Sequence, residues 1–244
     1  MKILNIVTPC SRPGNLKFLL KSIQKPDDTE VYWYIVYDYG VKPCIEMPET
    51  YGGINIIQNF ALEKSFVGNS LRNLALNEIK TGLVYFLDDD NIFNPKFWAH
   101  FGLFQTNRFY SFLSKFTPAE PIVIRKFKNE WHLFLLGLHQ TKKVTRSGVP
   151  TFKFAIQNYL ELLKGVKDHE HCLYPCSPKV DHIDSSMCCI DRGLIGDSRF
   201  PENAYNADGI FLEEVFLKSK DNFVFIDDYL AYYNYLEKYI ILDE

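Results

Sequence analysis

The first hundred residues alternate between short apolar runs and apolar positions at helical spacing. Apolar runs bounded by turn-forming residues are typical of buried strands, and apolar residues three and four apart are typical of helices. Residues 70–79, for example, place Leu71, Leu74, Ala75 and Ile79 on one helical face. The pattern predicts a strand at 2–8, a helix at 16–23, strands at 31–37 and 54–57, a helix at 70–79 and a strand at 84–87.

Strands that alternate with helices of this length favour a mainly parallel sheet covered by helices on both faces. We therefore predict an α/β fold in which residues 1–95 form a Rossmann-like half. The second half, 96–244, is less regular, and no repeat or low-complexity linker separates it, so a single domain of residues 1–244 is expected. Its predicted strands are 121–125, 133–136, 187–190 and 223–226, and its predicted helices are 152–163 and 209–218.

Three consecutive carboxylates follow the apolar run at 84–87, and they are the strongest functional signal in the chain. Asp88, Asp89 and Asp90 repel one another, so a cation is expected to compensate them. A hard divalent metal prefers such oxygen ligands, and α/β sheets bind ligands where their strands end. Alternation puts Asp88 and Asp90 on one side and Asp89 on another. The alternative is a solvated acidic turn that caps a helix.

Composition excludes several classes of protein. The net charge of −3 offers no basic stripe for a nucleic acid. No run approaches the roughly 18–20 apolar residues that span a bilayer, and the apolar start is too short for a signal peptide. The six cysteines lack a disulfide-scaffold spacing, so we expect them to be mostly reduced and the protein to be cytoplasmic.

Two segments leave alternatives open. An aromatic segment could form either an exposed patch for peripheral membrane association or, as we favour, a helix packed on the core. Its residues are Phe97, Trp98, Phe101, Phe104, Phe109 and Phe112. A second segment contains histidines and cysteines, which can bind zinc, but their spacing fits no standard zinc-binding motif. We favour an ordinary loop at 164–181. These histidines and cysteines are His169, His171, Cys172, Cys176 and His182.

An ordered set of short motifs resembles the GT-A glycosyltransferases. The likeness is greatest to family 43, the β-glucuronyltransferases, and looser to family 2. It implies a GT-A fold and transfer of a sugar from a nucleotide-diphosphate donor, UDP-linked, to a glycan or glycoconjugate acceptor, with Mn²⁺ or Mg²⁺ and inversion. The motifs are Thr8-Pro9, Ser11-Arg12-Pro13, Arg72-Asn73-Leu74-Ala75-Leu76, Val84-Tyr85-Phe86 and Asp88-Asp89-Asp90-Asn91.

The resemblance also implies roles for single residues. Basic side chains would meet the uracil and diphosphate, Asp38 the base, and Asp88 the ribose. Carried over by position, the nucleotide-binding residues are Thr8, Pro9, Arg12, Asp38, Arg72, Asp88 and Asp89, and the direct metal ligand is Asp90. The alternatives are turn residues for Arg12 and Asp38 and a solvated helix face for Arg72.

The second half should supply the acceptor site and a general base. An inverting transfer needs a carboxylate that takes the proton of the acceptor hydroxyl. Asp208 begins a predicted helix, as an acid does in family 43, and is the predicted base; Glu213 and Glu214 are fallbacks, and a helix N-cap is the alternative. Asp184 is the predicted acceptor-binding residue. The chain departs from family 43 in having Asp for Glu here and no histidine after His182.

Other functions remain as alternatives. A retaining transferase would use the same fold and donor. A nucleotidyltransferase would need a glycine-rich basic loop after the first strand, where this chain has only Gly14. A non-catalytic nucleotide-sugar binder would not need the intact acidic triplet.

Overall fold

The computed structural model describes residues 2–116, 172–173, 178, 180, 183–233 and 236. The chain divides into two compact units, residues 1–114 with 173–244, and residues 115–172. Every site residue predicted from the sequence belongs to the first unit. The elements predicted at 121–125, 133–136 and 152–163 and the side chains of the His/Cys cluster lie outside the described residues. The single domain divided near residue 95 stays a prediction.

The described elements follow the predicted alternation closely in the first ninety residues. The helices are α1 (Leu16–Ser22), α2 (Asn69–Glu78), α3 (Lys96–Phe101), α4 (Arg192–Ile195) and α5 (Ala207–Lys218). The strands are β1 (Lys2–Cys10), β2 (Thr29–Tyr37), β3 (Thr50–Tyr51), β4 (Ile54–Phe60), β5 (Leu83–Phe86), β6 (Phe109–Phe116), β7 (Cys172–Leu173), β8 (Cys188–Asp191) and β9 (Phe223–Tyr233).

The described strands form one mixed sheet. Their order is β3-β4-β2-β1-β5-β8-β6-β7, and β9 pairs with β6. Strands β4, β2, β1 and β5 are parallel, whereas β8 is antiparallel to both β5 and β6. The register aligns Cys10 with Tyr37 and Val7 with Phe86, so the loops that follow β1, β2 and β5 meet at one edge. The predicted α/β fold, with a sheet that is parallel in its first half, is confirmed.

Apolar side chains on both faces of the sheet form the core. In β1, Leu4 and Ile6 belong to one cluster with Leu19 and Phe97, which lie on α1 and α3. The next residue, Val7, belongs to a second cluster that contains residues of α2 and α5. Alternate residues of a strand point to opposite faces, so burial of both faces explains the continuous apolar runs.

Three of the four residues predicted for the apolar face of α2 are buried, namely Leu71, Ala75 and Ile79. The fourth, Leu74, has a side chain that is 39% exposed. Two polar residues, Arg72 and Asn73, are also buried, because their side chains reach hydrogen-bond partners in the rest of the protein.

The aromatic segment is packed in the core, as favoured from the sequence, but only its first part is helical. Helix α3 covers that first part, and residues 109–116 form strand β6. The phenylalanines at 97, 101, 104, 109 and 112 are each 2% exposed or less, so they do not form the exposed patch that was the alternative. Within the described residues, no helix has both the length and the apolar character needed to cross a bilayer.

Substitution of Gly82, which precedes β5, tests how tightly the backbone is packed against Ile3 of β1. It has φ of +91°, and a Cβ there would lie 2.8 Å from Ile3 Cβ and 2.9 Å from Ile3 O. We expect Gly82→Ala to lower the free energy of unfolding by about 2–4 kcal/mol, because a backbone atom cannot move aside cheaply. The matched control is Gly52→Ala, whose φ is also positive, at +55°, but whose Cβ meets nothing within 4 Å. Equal losses in urea denaturation of the two variants would contradict the packing argument.

Candidate active site

A cavity of about 620 Å³ opens at the edge of the sheet where β1, β2 and β5 end. Nine of the ten residues predicted from sequence line it. They are Pro9, Arg12, Asp38, Arg72, Asp88, Asp89, Asp90, Asp184 and Asp208. The structure therefore gathers residues from both predicted halves at one place.

Asp89, in the middle of the triplet, is only 2% exposed and holds the loop after β1. Its Oδ2 accepts hydrogen bonds from the backbone N–H of Ser11 at 2.7 Å and of Arg12 at 2.6 Å. Its Oδ1 accepts from Nε of Arg12 at 2.9 Å and from Nη2 at 2.7 Å. Both carboxylate oxygens thus accept hydrogen bonds from the loop after β1, which gives Asp89 a scaffold role, and its nucleotide contact stays a prediction.

Asp90 shares the same guanidinium. Nη2 of Arg12 lies 2.8 Å from Oδ2 of Asp90, and the Arg12 side chain is 39% exposed. Burial, followed by the charge of Asp88, raises the pKa of Asp90 to about 6, although Arg12 opposes the shift. The backbone oxygen of Asp90 accepts a bond of 2.6 Å from Leu236 N. Asp90 is therefore a carboxylate that an additional cation would stabilise.

Arg72 is buried beneath the cavity and joins two of its acids. Nη2 donates to Oδ1 of Asp88 at 2.6 Å, and Nη1 lies 3.9 Å from Oδ1 of Asp208. Nη1 also donates to the carbonyl of Val67 at 3.1 Å. The side chain is 5% exposed, so it is not the solvated helix face that was the alternative. Burial raises the pKa of Asp88, with Asp208 adding to the shift and Arg72 opposing it.

Asp184 and Asp208 converge on a short 3₁₀ turn, Ser185–Met187, before β8. Asp184 Oδ1 accepts from the N–H and the hydroxyl of Ser186, at 2.8 and 2.6 Å. Asp208 Oδ2 accepts from Ser185 N at 3.2 Å, and the N-cap of α5 is Asn206, so Asp208 is not the cap. Burial, then the charges of Asp208 and Asp88, raise the pKa of Asp184 to about 7.

Two residues predicted to contact the nucleotide, Thr8 and Asp38, accept hydrogen bonds from other groups of the protein. Thr8 is fully buried, and its hydroxyl accepts a bond of 2.9 Å from Nε1 of Trp33. It is not among the described residues that line the cavity, although its neighbour Pro9 is. Asp38 does line the cavity, with its Oδ1 accepting from the N–H groups of Tyr39 and Ser65, both at 2.8 Å.

The fallback bases lie away from the cavity. Glu213 accepts a bond of 3.2 Å from Val180 N, and Glu214 pairs with Lys218 and with the hydroxyl of Ser198 at 2.8 Å. Neither belongs to the described residues that line the cavity. Asp208 is thus the acid of α5 that the fold brings to the site.

Sequence reasoning missed two asparagines that hold together the elements around the cavity. Asn73 exchanges two bonds of 2.9 Å with the backbone of Phe200. Asn69 donates to the carbonyls of Pro201 and Ala204 at 3.1 and 3.0 Å. Both tie α2 to the segment that leads into α5. The available signal was asparagine within a helix, where it is unfavourable unless its side chain finds a specific partner.

The charge balance of the cavity suits a divalent cation. Six aspartates but two arginines are found among its described lining residues. Among those residues, no group of three or more ligands is preformed. Mg²⁺ and similar ions at nucleotide sites are commonly held by one or two carboxylates with phosphate oxygens and water. Asp88 and Asp90 fit that donor set.

Comparison with known proteins supports the fold. No protein-family model matches this chain, and no curated protein matches it. Among solved structures, S. aureus TarS 1–349 in complex with UDP is similar, with a TM-score of 0.59 and 16% identity over 96% of this chain and 60% of that one. Its complex with UDP-GlcNAc gives 0.55 and 16%, over 96% and 58%.

A second similar structure is an archaeal enzyme. The mannosyltransferase PcManGT from Pyrobaculum calidifontis, in complex with GDP-Man and Mn²⁺, gives a TM-score of 0.50 and 11% identity over 96% of this chain and 56% of that one. The chain spans about 60% of the length of TarS 1–349. At these identities the likeness establishes a shared GT-A-type fold.

Substitution of Thr8 distinguishes a structural role of its buried hydroxyl from a role in nucleotide binding. Thr8→Val leaves Nε1 of Trp33 without its acceptor, so we expect a loss of about 1–3 kcal/mol in the free energy of unfolding. Thr8→Ser keeps the acceptor and should lose less than half as much. Urea denaturation measures both. An unchanged stability in Thr8→Val, accompanied by weaker binding of UDP, would restore the nucleotide-binding role.

The raised pKa of Asp184 predicts how stability depends on pH. Its folded-state pKa of about 7 exceeds the ordinary 3.8, so the folded state binds the proton more tightly and loses stability as pH rises through that interval. Asp184→Asn keeps a capping side chain without the charge. We expect this variant to be more stable than wild type by on the order of 2 kcal/mol at pH 8, with the difference shrinking towards pH 4. A difference independent of pH in chemical denaturation would refute this.

Proposed function

We propose that the protein is a metal-dependent glycosyltransferase that moves a sugar from a nucleotide-diphosphate donor, UDP-linked, to a hydroxyl of a glycan or glycoconjugate acceptor, with inversion. The observation that carries the proposal is the buried Arg72, which holds Asp88 of the triplet and Asp208 of α5 on one cavity. An acid that can bind a donor and an acid that can activate an acceptor thereby face the same space.

The donor would lie along the edge of the sheet. Asp38 follows β2, Arg12 follows β1 and Asp88 follows β5, and the order β2-β1-β5 places them in a row. In the proposed pose the base lies at Asp38 and the ribose at Asp88. Arg12 is half-exposed, and a guanidinium of this kind is well suited to bind a diphosphate.

Asp90, with Asp88 beside it, would hold Mn²⁺ or Mg²⁺ together with the diphosphate. The bound ion would act as a Lewis acid that stabilises the charge of the departing diphosphate. The excess of aspartates over arginines supports this assignment.

Asp208 is proposed as the general base. Its carboxylate is 22% exposed, so an acceptor hydroxyl can reach it, and its Oδ1 lies 3.9 Å from Nη1 of Arg72. It would take the proton of the acceptor hydroxyl as that oxygen bonds to the anomeric carbon, while the bond from that carbon to the diphosphate breaks. Asp184, next to it, would bind the acceptor.

The similar structures support the donor class at the level of fold. TarS has been solved with UDP and with UDP-GlcNAc, and PcManGT with GDP-Man and Mn²⁺. The narrower likeness to family 43 rests on the sequence motifs alone, and the departures at Asp208 and at the C-terminal histidine weigh against it. A cytoplasmic location is part of the proposal, with peripheral membrane association as its alternative; the phenylalanines of the aromatic segment are buried and would not provide the membrane contact.

Two variants separate the roles of the acids. Asp208→Asn should lower donor turnover by about 10²–10⁴-fold while metal-dependent binding of the donor persists, because a general base contributes that much to rate. Asp90→Asn should instead lose the metal-dependent part of donor binding. A thermal-shift screen of UDP-Glc, UDP-GlcNAc, UDP-GlcA and GDP-Man with and without Mn²⁺ selects the donor, and hydrolysis of that donor measures turnover.

Glu213→Gln is the control, since it changes a neighbouring acid that lies away from the cavity. Full turnover in Asp208→Asn would exclude that residue as the base. Cleavage of the donor to nucleoside monophosphate and sugar 1-phosphate, rather than to nucleoside diphosphate and free sugar, would indicate a nucleotidyltransferase. NMR of the anomeric proton of the product distinguishes inversion from retention.

A further inference from the structure

Tyr205 is an exposed aromatic side chain at the cavity, and no step described so far uses it. It is 80% exposed and lines the cavity a short distance before α5. Single exposed apolar residues are common on protein surfaces. This one differs because its ring forms part of the wall of a ligand-sized cavity that is otherwise rich in aspartate.

The backbone on both sides of Tyr205 is fixed. The carbonyl of Ala204 accepts a bond of 3.0 Å from Asn69, and the carbonyl of Asn206 accepts the first helical bond of α5, from Ile210 N at 3.1 Å. An aromatic side chain on a rigid backbone has few torsions to immobilise when it binds a ligand. The backbone that carries Tyr205 is therefore held in place, and its exposed side chain is accessible to a ligand in the cavity.

The position of Tyr205 along the cavity assigns it to the acceptor end. Strands β1 and β5 lie between β2, which Asp38 follows, and β8, which the Ser185–Met187 turn precedes. The N–H of Ser185 in that turn donates to Asp208, three residues after Tyr205. Tyr205 thus lies close in the chain to the proposed base, whose carboxylate is bonded to the turn that follows Asp184.

We propose that Tyr205 is the stacking platform for a pyranose ring of the acceptor. The inference rests on the proposed function and deepens it by naming a cyclic sugar as the acceptor class. A pyranose presents a flat face of C–H groups that packs on an aromatic ring, and its hydroxyls remain free for Asp184. An acyclic polyol has hydroxyls of the same kind but no such face, so it should gain little from the ring.

The test uses saturation-transfer NMR on the whole chain with UDP and Mg²⁺. The probes are the methyl glycosides of glucose, galactose, N-acetylglucosamine and mannose, with sorbitol as the acyclic comparison. We expect at least one glycoside to receive saturation at its ring protons and sorbitol to receive none. Tyr205→Ala should weaken that binding about three- to tenfold, the usual worth of an aromatic contact, and Tyr205→Phe should retain it.

Tyr51→Ala is the matched control, because Tyr51 is 46% exposed on β3 and is not among the described residues that line the cavity. It should bind the glycosides as wild type does. The unfolding midpoint of Tyr205→Ala should lie within about 2 °C of wild type, since the side chain is exposed.

The same spectra separate two failures. Absence of saturation on the uracil and ribose protons of UDP in wild type would overturn the proposed function. Saturation of UDP with no glycoside signal, with a glycoside signal unchanged in Tyr205→Ala, or with sorbitol bound as well as the glycosides would overturn the stacking platform alone.

Discussion

The buried guanidinium of Arg72 is the interaction on which the arrangement of the cavity depends. A charge at that depth is costly unless it is paired, and truncating one partner of such a pair leaves the other uncompensated. The charge of Arg72 is paired with the carboxylates of Asp88 and Asp208, and its Nη1 donates a hydrogen bond to the carbonyl of Val67. These partners come from three separated parts of the chain, so the ion pairs also fix their relative positions.

The backbone just before α2 has an unusual conformation that brings the carbonyl of Val67 to the guanidinium of Arg72. Val67 has φ of +53°, which is unusual for a β-branched residue, and Gly68 follows at +76°. A Cβ on Gly68 would lie 3.0 Å from Pro9 Cβ and 3.3 Å from Nη1 of Arg72. The turn before α2 therefore accepts a strained residue so that a carbonyl can meet the guanidinium, and it requires glycine at the next position.

Much of the fold could be predicted from the sequence, because the strands around the site are buried on both faces and read as apolar runs. The separate roles of Asp88, Asp89 and Asp90 could not be predicted from the sequence. The alternation of side chains separates Asp89 from Asp88 and Asp90. Only the folded loop after β1 reveals that the carboxylate of Asp89 accepts hydrogen bonds from Ser11 and Arg12. Thr8 was misplaced for a similar reason, since the end of a strand is the least certain part of any sequence pattern.

The antiparallel strand β8 has a wider consequence. Because it runs opposite to β5, its beginning rather than its end lies at the cavity, and Asp184 reaches the site from the turn that precedes it. Its neighbour β6 pairs with it from Phe109 to Ser111, so the two strands are joined in the sheet although residues 115–172 separate them in sequence. The antiparallel pairing of β5 with β8 thus brings Asp88, which follows one strand, and Asp184, which precedes the other, to the same cavity. Two acids that are distant in the sequence are held at a fixed spacing by hydrogen bonds of the sheet.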